Sequence, residues 1–321
     1  MKTLMAKYGN IILSVVITVA ICANIAYSQI PGTIILGRPT NTSITANILT
    51  DKDMDVYIEY GTEASVHTNH TDIVQCPSKK PMEVVIDNLE PDTQYYYRML
   101  YLQSSENDYT TGEEYAFHTQ RSLDSTFTFV VEADPHLDEQ SNPDLYKRAL
   151  INELNDNPDF LIDLGDTFMS EKIPGANNED IIGRYLELRS YFSLICHSVP
   201  LFFVMGNHDG EQGRSLNGTA NNITVLTTNL RKLYYPNPLP DDFYTGNTTI
   251  EDFVGLPQDY YAWERGDALF VVLDPYRYTI PKSGKSPDGW DWTLGGKQYE
   301  WFKQTLENSK AKFKFIFSHH L

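Results

Sequence analysis

Carboxylate, amide and imidazole side chains follow apolar segments at five points in the second half of the chain. They are Asp134 and His136, then Asp166, then Asn207, His208 and Asp209, then Asp274, and finally His319 and His320. Ligands of open α/β sheets collect at the carboxyl ends of the strands, so residues directly after a strand are candidates for chemistry. Carboxylate and imidazole groups suit iron, zinc and manganese, and one carboxylate can bridge two ions. A lone Asp or His after a strand is often a helix cap or a structural residue, so the prediction rests on their joint occurrence.

The five segments that precede these residues are apolar throughout, and segments with helical periodicity separate several of them. The apolar segments are TFTFVVEA, DFLIDL, PLFFVM, ALFVVL and FKFIFS. The helix candidates run from about Asp144 to Asn155, Glu179 to Ile195 and Gly295 to Asn308. Strands buried on both faces and spaced by helices predict an α/β layered domain over residues 122–321. The stretch between Asp209 and the fourth apolar segment is polar and rich in Asn and Thr, and we expect a long insertion there.

Residues 29–121 predict a different architecture, a small antiparallel β-sandwich. Short segments such as MDVYIEY alternate apolar and polar residues, and turns interrupt them at intervals near ten residues. The stretch from Leu89 to Tyr95 resembles the tyrosine corner of fibronectin type III domains, in which a tyrosine hydroxyl ties a strand to the preceding turn. Cys76 and Cys196 fall in different predicted domains, and we expect buried thiols there rather than a disulfide.

The N-terminal 28 residues have the composition of a secretory signal. Lys2 and Lys7 precede an apolar run from Ile11 to Ala26, and small residues surround the expected cleavage point. A secreted or periplasmic protein is expected, with no stable membrane partner after cleavage. An uncleaved anchor helix is the alternative.

The amino-acid composition indicates which classes of binding partner are compatible with the chain. Of the 321 residues, 41% are apolar, which suffices for a core in each of two domains. The formal charge of −18 disfavours nucleic acid and anionic membranes as main partners, because both would be repelled. A small-molecule partner is therefore favoured over an anionic polymer.

The motif order DxH, GD, GNHD and HH resembles the calcineurin-like metallophosphoesterase superfamily. A fibronectin-like domain ahead of these motifs is similar to the arrangement in bacterial and plant purple acid phosphatases. The resemblance covers essentially all of the chain after residue 28, and it implies a four-layer αββα sandwich with two bound metal ions. The ligands that it implies are Asp134 and His136 for the first ion, Asp166 as the bridge, and Asn207 and His319 for the second ion. An exchange of roles between His319 and His320 stays open.

The same resemblance implies the reaction. Two ions of iron, zinc or manganese would clamp the phosphoryl group and activate a hydroxide nucleophile. His208 would be the catalyst that is not a ligand, and Asp209 would orient its imidazole. Gly165 and Gly206 are expected to let the backbone turn sharply before the next side chain.

Substrate contacts are expected from the segment after the fourth apolar stretch. Tyr276, Arg277, Trp290 and Trp292 are candidates to frame a phosphate ester, and His320 is expected beside it. A packed surface loop whose aromatic side chains cover the domain is the alternative.

Two departures from the family pattern affect these expectations. Purple acid phosphatases place an iron-binding tyrosine three residues after the second motif's Asp, and this chain has Met169 there. The family also completes its site with a GHxH segment that these 321 residues lack, so truncation and a weakly active fragment are expected. The alternatives are a phosphodiesterase or nucleotidase of the same superfamily, and a non-catalytic extracellular binding protein with a degenerate enzyme domain.

Overall fold

The computed structural model of the chain describes residues 31–173, 178–279 and 294–319. The predicted signal of residues 1–28 lies outside these ranges. No helix within the described ranges combines the length and the hydropathy needed to cross a bilayer.

The first part of the chain is a fibronectin type III-like β-sandwich of eight strands. They are β1 (Gly32–Gly37), β2 (Ile44–Thr50), β3 (Met54–Gly61), β4 (Asn69–His70), β5 (Val74–Cys76), β6 (Met82–Ile86), β7 (Gln94–Gln103) and β8 (Thr110–His118). One antiparallel sheet has the order β1-β2-β6, and the other has the order β4-β3-β7-β8 with β5 also paired to β3. The predicted strand segment MDVYIEY lies in β3. The shortest strands, β4 and β5, are only two and three residues long.

The tyrosine corner is confirmed. The Tyr95 hydroxyl accepts a hydrogen bond of 2.9 Å from the backbone N–H of Glu90, which ties β7 to the turn before it. The Tyr95 ring stacks on Phe117 of β8 with ring centroids 5.7 Å apart. Both contacts fix the end of the sandwich that leads into the second part of the chain.

The second part contains two sheets and four helices. Its strands are β9 (Phe129–Glu132), β10 (Phe160–Asp163), β11 (Leu201–Phe203), β12 (Thr245–Gly246), β13 (Tyr261–Arg265), β14 (Ala268–Val272) and β15 (Phe313–Phe317). Its helices are α1 (Pro143–Asn155), α2 (Asn178–Phe192), α3 (Ile223–Tyr234) and α4 (Gly295–Asn308). The first sheet is parallel with the order β11-β10-β9, and the second has the order β12-β13-β14-β15 with β14 and β15 parallel.

Three apolar cores stack these elements into the expected αββα layers. One core joins α1, α2 and α3 to the first sheet, through residues such as Leu150, Leu188 and Leu161. A second, aromatic core fills the space between the two sheets and includes Phe160 and Phe270. The third core packs α4 on the outer face of the second sheet. The predicted strands β9, β10 and β11 are parallel in the first sheet, and the predicted strands β14 and β15 are parallel in the second. Within each sheet, the carboxyl ends of these strands therefore lie at the same edge.

The expected polar insertion contains regular structure that the sequence reading missed. Helix α3 begins after Asn222, whose side chain accepts from the Val225 N–H at 3.0 Å. Thr227 and Thr228 in its middle are fully buried, and their hydroxyls donate to backbone carbonyls of the preceding turn at 2.9 Å and 2.7 Å. The threonines are therefore packed helix residues rather than loop residues, because the helix backbone satisfies their hydroxyls.

Arg189 of α2 connects the sandwich to the α/β layers. Its side chain is fully buried and donates to Thr33 Oγ1 and Asn47 Oδ1, both at 2.7 Å. Burial lowers the pKa of this guanidinium to about 9. The backbone N–H of Leu36 also donates to the Cys196 carbonyl at 2.8 Å. Cys196 and Cys76 are buried free thiols, as predicted.

Candidate metal centre

Four candidate ligands converge at the carboxyl ends of β9, β10 and β15. Ligand atoms of Asp134, His136 and Asp166 all lie within 4.8 Å of one another. His136 Nε2 is 3.4 Å from Asp134 Oδ1 and 3.5 Å from Asp166 Oδ2. His319 Nε2 lies 3.2 Å from the same Asp166 oxygen and 4.0 Å from Asp134 Oδ1. Asp166 is thus the central carboxylate of the group.

The backbone at three of these residues adopts the left-handed conformation. The φ angles are 60° at Asp134, 55° at His136 and 53° at Asp166. Such a conformation costs about 1–3 kcal/mol for a residue with a side chain, and it persists only where its surroundings impose it. Here the Asp134 N–H donates to the Gly165 carbonyl at 3.0 Å, and the His136 N–H donates to the Asp166 carbonyl at 3.1 Å. The two loops therefore hold each other in this conformation.

The imidazole nitrogens have the connections expected of metal ligands. His136 Nε2 is buried and has no hydrogen-bond partner among the described residues. His319 Nδ1 donates to the backbone carbonyl of Leu164 at 2.9 Å, since a carbonyl oxygen can only accept. A backbone carbonyl on the second ring nitrogen fixes the tautomer of most metal-binding histidines. The donor set of two carboxylates and two imidazoles fits iron, zinc or manganese.

The electrostatics of the group also call for a cation. Burial lowers the pKa of His319, but its hydrogen bond and proximity to Asp166 outweigh this effect and raise the pKa to about 9. Burial would raise the pKa of Asp166, yet the contacts with His319 and the His208 N–H lower it below its usual range. A positive charge between His319 Nε2 and Asp166 is therefore favoured, whether a proton or a metal ion carries it.

Asp209 does not orient the His208 imidazole, which corrects the role expected from the sequence. Its Oδ2 accepts from the N–H groups of Gly206 and Asp166 at 2.7 Å and 2.9 Å. Its Oδ1 accepts from the N–H and the hydroxyl of Thr167 at 2.9 Å and 2.8 Å. Burial and repulsion by Asp166 raise the pKa of Asp209 to about 6 despite these bonds. The carboxylate faces four backbone and hydroxyl donors, so it joins the two ligand loops instead.

Glu171 occupies the position expected for Asp209. His208 Nδ1 contacts a carboxylate oxygen of Glu171, and His208 Nε2 lies 3.8 Å from Asp166 Oδ2. Glu171 belongs to a 3₁₀ turn, Ser170–Lys172, that the Ser170 N–H fastens to the His208 carbonyl at 3.0 Å. The sequence carried no signal for this partner, because the contact depends on how the loop after Asp166 folds back.

The two glycines of the site serve different purposes. Gly165 has a φ of 89°, and Asp163 Oδ1 accepts its N–H at 2.7 Å, so it is the sharp turn that was expected. Gly206 does not have a positive φ. A Cβ atom there would lie 2.2 Å from the N and Oδ1 atoms of Asp166. Gly206 is therefore needed for close approach of the two loops, not for a turn.

Asn207 lies half-buried on the loop between Gly206 and His208. The His208 N–H donates to Asp166 Oδ1 at 2.6 Å, which brings this loop against the central carboxylate. Gln212 donates to the Asn207 backbone carbonyl. Ligation by the Asn207 amide stays a prediction. Met169, the residue in place of the family's tyrosine, is 9% exposed and offers no phenolate oxygen.

The structure places the residues predicted to contact substrate in different environments. Tyr276 is near the site, with its ring centroid 6.1 Å from that of His319. Arg277 is only 2% exposed, and Glu251 Oε2 accepts from its Nη2 at 2.5 Å. The prediction that Arg277 frames a substrate is wrong, because its guanidinium is buried in an ion pair. Trp290, Trp292 and His320 lie outside the described residues.

Comparisons with known proteins agree with this geometry. A family model described as calcineurin-like phosphoesterase matches residues 127–321, more than half of the chain. The chain therefore belongs to the calcineurin-like phosphoesterase family. No curated protein matches the sequence.

Two solved structures share the fold over most of the chain. The structure of PhoD has a TM-score of 0.66 and 15% identity, covering 90% of this chain and 62% of PhoD. The purple acid phosphatase PPD1 from seeds of yellow lupin (Lupinus luteus) has a TM-score of 0.57 and 15% identity, covering 88% of this chain and 50% of that one. This chain thus spans less than two thirds of either protein, and the likeness shows the fold alone.

Proposed function

We propose that this chain hydrolyses small phosphate esters outside the cytoplasm with the help of two metal ions. The observation that carries the proposal is the buried His136 Nε2, which faces the carboxylates of Asp134 and Asp166 but has no hydrogen-bond partner among the described residues. A buried polar atom without a partner is costly, and a bound cation removes the cost at this position.

The contacts support the ligands of the first ion, and the family resemblance suggests those of the second. One ion would be held by Asp134, His136 and Asp166, whose ligand atoms already lie together. The second would be held by Asp166, Asn207 and His319. When bound, the ions would supply Lewis acidity toward the phosphoryl group and a lowered pKa for water in the site.

His208 would act on the leaving group. Its Nδ1 contacts a carboxylate oxygen of Glu171, which can orient the imidazole. Its Nε2 would donate a proton to the departing alkoxide. Thr167 and Asp209 hold the loop that carries Asp166, and Tyr276 lies beside His319 as a wall of the substrate space.

Location and substrate size have support from the sequence. The apolar run of residues 11–26 behind two lysines favours export. The charge of −18 disfavours long polyanions and favours small esters.

The test combines metal binding with turnover. The protein is stripped with a chelator and titrated calorimetrically with Zn²⁺ or Mn²⁺, and hydrolysis of p-nitrophenyl phosphate and bis(p-nitrophenyl) phosphate is then measured. Saturable metal binding and metal-dependent hydrolysis are expected, and the two substrates distinguish a monoesterase from a diesterase. Asp166→Asn should abolish both, whereas Asp144→Asn, an exposed carboxylate at the start of α1, should change neither. Equal metal binding by Asp166→Asn and the unchanged protein would refute the proposal.

A further inference from the structure

A long groove follows α4. One cavity of about 800 Å³ lies between the sandwich turn around Arg38 and the open edge of β13 at Glu264. A second, of about 650 Å³, lies beside the first turns of α4. Trp301 and Gln304 line both cavities, so the two form one surface, here called the α4 groove. None of the candidate metal ligands lines it.

The groove runs along the whole helix. Lys297 in the first turn of α4 lines one end, and Asn308 at its last residue lines the other. A helix of 14 residues is about 20 Å long at 1.5 Å per residue. The groove is therefore long enough for a chain-like ligand, and its combined volume exceeds that of a single small-molecule pocket, which is typically about 300–1,000 Å³.

Aromatic rings supply the apolar part of this surface. Trp301 is half-buried and leans on Tyr260 with ring centroids 4.8 Å apart, which holds its indole in place. Tyr299 is 41% exposed, and Phe243 lies under the guanidinium of Arg38 at 5.7 Å. Aliphatic side chains contribute little, since Ala262 and Leu269 are the ones that line the cavities. Flat rings without aliphatic neighbours favour a ligand with flat C–H faces over an amphipathic peptide helix.

The polar part of the lining consists mainly of amides and hydroxyls. Gln304, Asn308 and Thr305 project from α4, and Asn41 and Thr42 project from the sandwich turn across the groove. Amide and hydroxyl groups can both donate and accept, which matches a ligand rich in hydroxyl groups.

The charges of the groove are nearly balanced. Arg38 and Lys297 are cationic, and Asp242, Glu264 and Glu300 are anionic. Arg38 is already paired with Asp241 at 2.7 Å. An anionic polymer would therefore meet no cationic track, and a neutral ligand is favoured.

We propose that the α4 groove binds a neutral oligosaccharide. A pyranose ring would stack on Trp301, and the sugar hydroxyls would bond to the amides of Gln304 and Asn308. Because the sandwich turn forms one wall, the fibronectin-like part of the chain gains a binding role independent of the phosphoesterase chemistry.

Two hydrogen bonds to Glu264 fix the floor of the groove, and the first of them joins the two parts of the chain. Gln120 Nε2 donates to the Glu264 carbonyl at 2.8 Å, and Ser309 Oγ donates to Glu264 Oε1 at 3.0 Å. A rigid wall reduces the entropy lost on binding, which favours measurable affinity for a flexible sugar chain.

The experiment titrates the full chain with cellohexaose, chitohexaose and maltohexaose by isothermal calorimetry. Saturable binding of at least one hexasaccharide is expected, and Trp301→Ala should weaken it about tenfold or more. Gln304→Arg places a bulky cation in the groove on an exposed helix position and should weaken binding similarly without loss of folding. Lys303→Ala, on the neighbouring exposed position of α4, is the matched control and should bind normally.

The outcome is separable from the proposed phosphoesterase function. Asp166→Asn should leave sugar binding unchanged. Absence of binding by all three hexasaccharides, or binding that survives both Trp301→Ala and Gln304→Arg, overturns the proposal.

Discussion

Two clusters of charged side chains lie in the α/β layers, and they differ in whether the protein satisfies its own charged groups. In the metal centre, His136 Nε2 is left without a hydrogen-bond partner among the described residues. In the second cluster, here called the guanidinium network, Arg231 and Arg277 meet Glu211 and Glu251. Arg231 donates to both oxygens of Glu211, at 2.5 Å and 3.0 Å.

This difference distinguishes a ligand-binding site from a structural ion-pair network when both contain the same types of charged residue. A guanidinium whose donors are all accepted, like that of Arg231, has nothing left for a ligand, and its burial requires this satisfaction. The buried Nε2 of His136 has no hydrogen-bond partner among the described residues, so it has one ligand position to offer. Carboxylates near strand ends do not by themselves indicate chemistry.

The largest expected effect comes from breaking the guanidinium network. Arg231→Met keeps most of the side-chain volume but leaves Glu211, which is 2% exposed, without its cation. Removal of one partner of a buried ion pair costs about 3–5 kcal/mol of unfolding free energy. Urea denaturation monitored by circular dichroism measures this loss. Arg214→Met, on an exposed turn, should change stability by less than about 0.5 kcal/mol. Comparable stability of the two variants would contradict the scaffold role.

The second expected effect comes from filling the contact between the ligand loops. Gly206→Ala places a Cβ 2.2 Å from backbone and side-chain atoms of Asp166, so the loops must separate. A loss of about 2 kcal/mol is expected from such overpacking, together with weaker Zn²⁺ binding in calorimetry.

Gly183→Ala in α2 is the matched control. A Cβ there meets nothing within 4 Å, and alanine in a helix interior should stabilise by about 1 kcal/mol. If both alanines stabilise the protein, Gly206 is not a close-approach glycine.

The elements that the sequence predicted well are those with strong periodicity and uniform burial. Helix α1 begins at Pro143 and α4 spans Gly295–Asn308, each within a residue of the predicted range. The apolar strands could be read directly, because both faces of each sheet pack against another layer. Helix α3 was missed because Thr227 and Thr228 look polar in the sequence, while the folded helix satisfies their hydroxyls internally.

In the candidate site, the sequence predicted which residues lie together but not how each side chain is oriented or buried. Motif spacing indicated Asp134, His136, Asp166 and His319, which the structure brings together. The orientation of Asp209 could not be predicted, since it depends on four donors from two different loops. Arg277 was assigned to the substrate because charge alone does not reveal burial.

A third expected effect concerns the pH dependence of stability. Burial and repulsion by Asp259 raise the pKa of Asp274 to about 7. The folded protein therefore keeps a proton that the unfolded chain releases, so this group loses its stabilising effect as pH rises from about 4 through about 7. Relative to the unchanged protein, Asp274→Asn should gain about 2 kcal/mol of unfolding free energy between pH 5 and pH 8. Urea denaturation at both pH values measures the difference, and a gap that stays constant with pH would show that Asp274 does not carry the proton.

The smallest expected effect concerns Glu171, the carboxylate that contacts His208 in the metal centre. Glu171 is about half exposed and contacts His208 Nδ1, so it should act on the imidazole without contributing to the fold. Under the proposed function, Glu171→Gln removes the charge but keeps an acceptor, and turnover of p-nitrophenyl phosphate should fall about tenfold. Glu171→Ala removes the acceptor as well and should be slower still, while both variants keep the Zn²⁺ stoichiometry and the unfolding free energy.

Glu139→Gln, which changes an exposed carboxylate on the neighbouring loop, should retain full turnover. If Glu171→Ala turns over normally, His208 needs no carboxylate partner; if Zn²⁺ binding falls along with turnover, Glu171 supports the metal ligands rather than the imidazole.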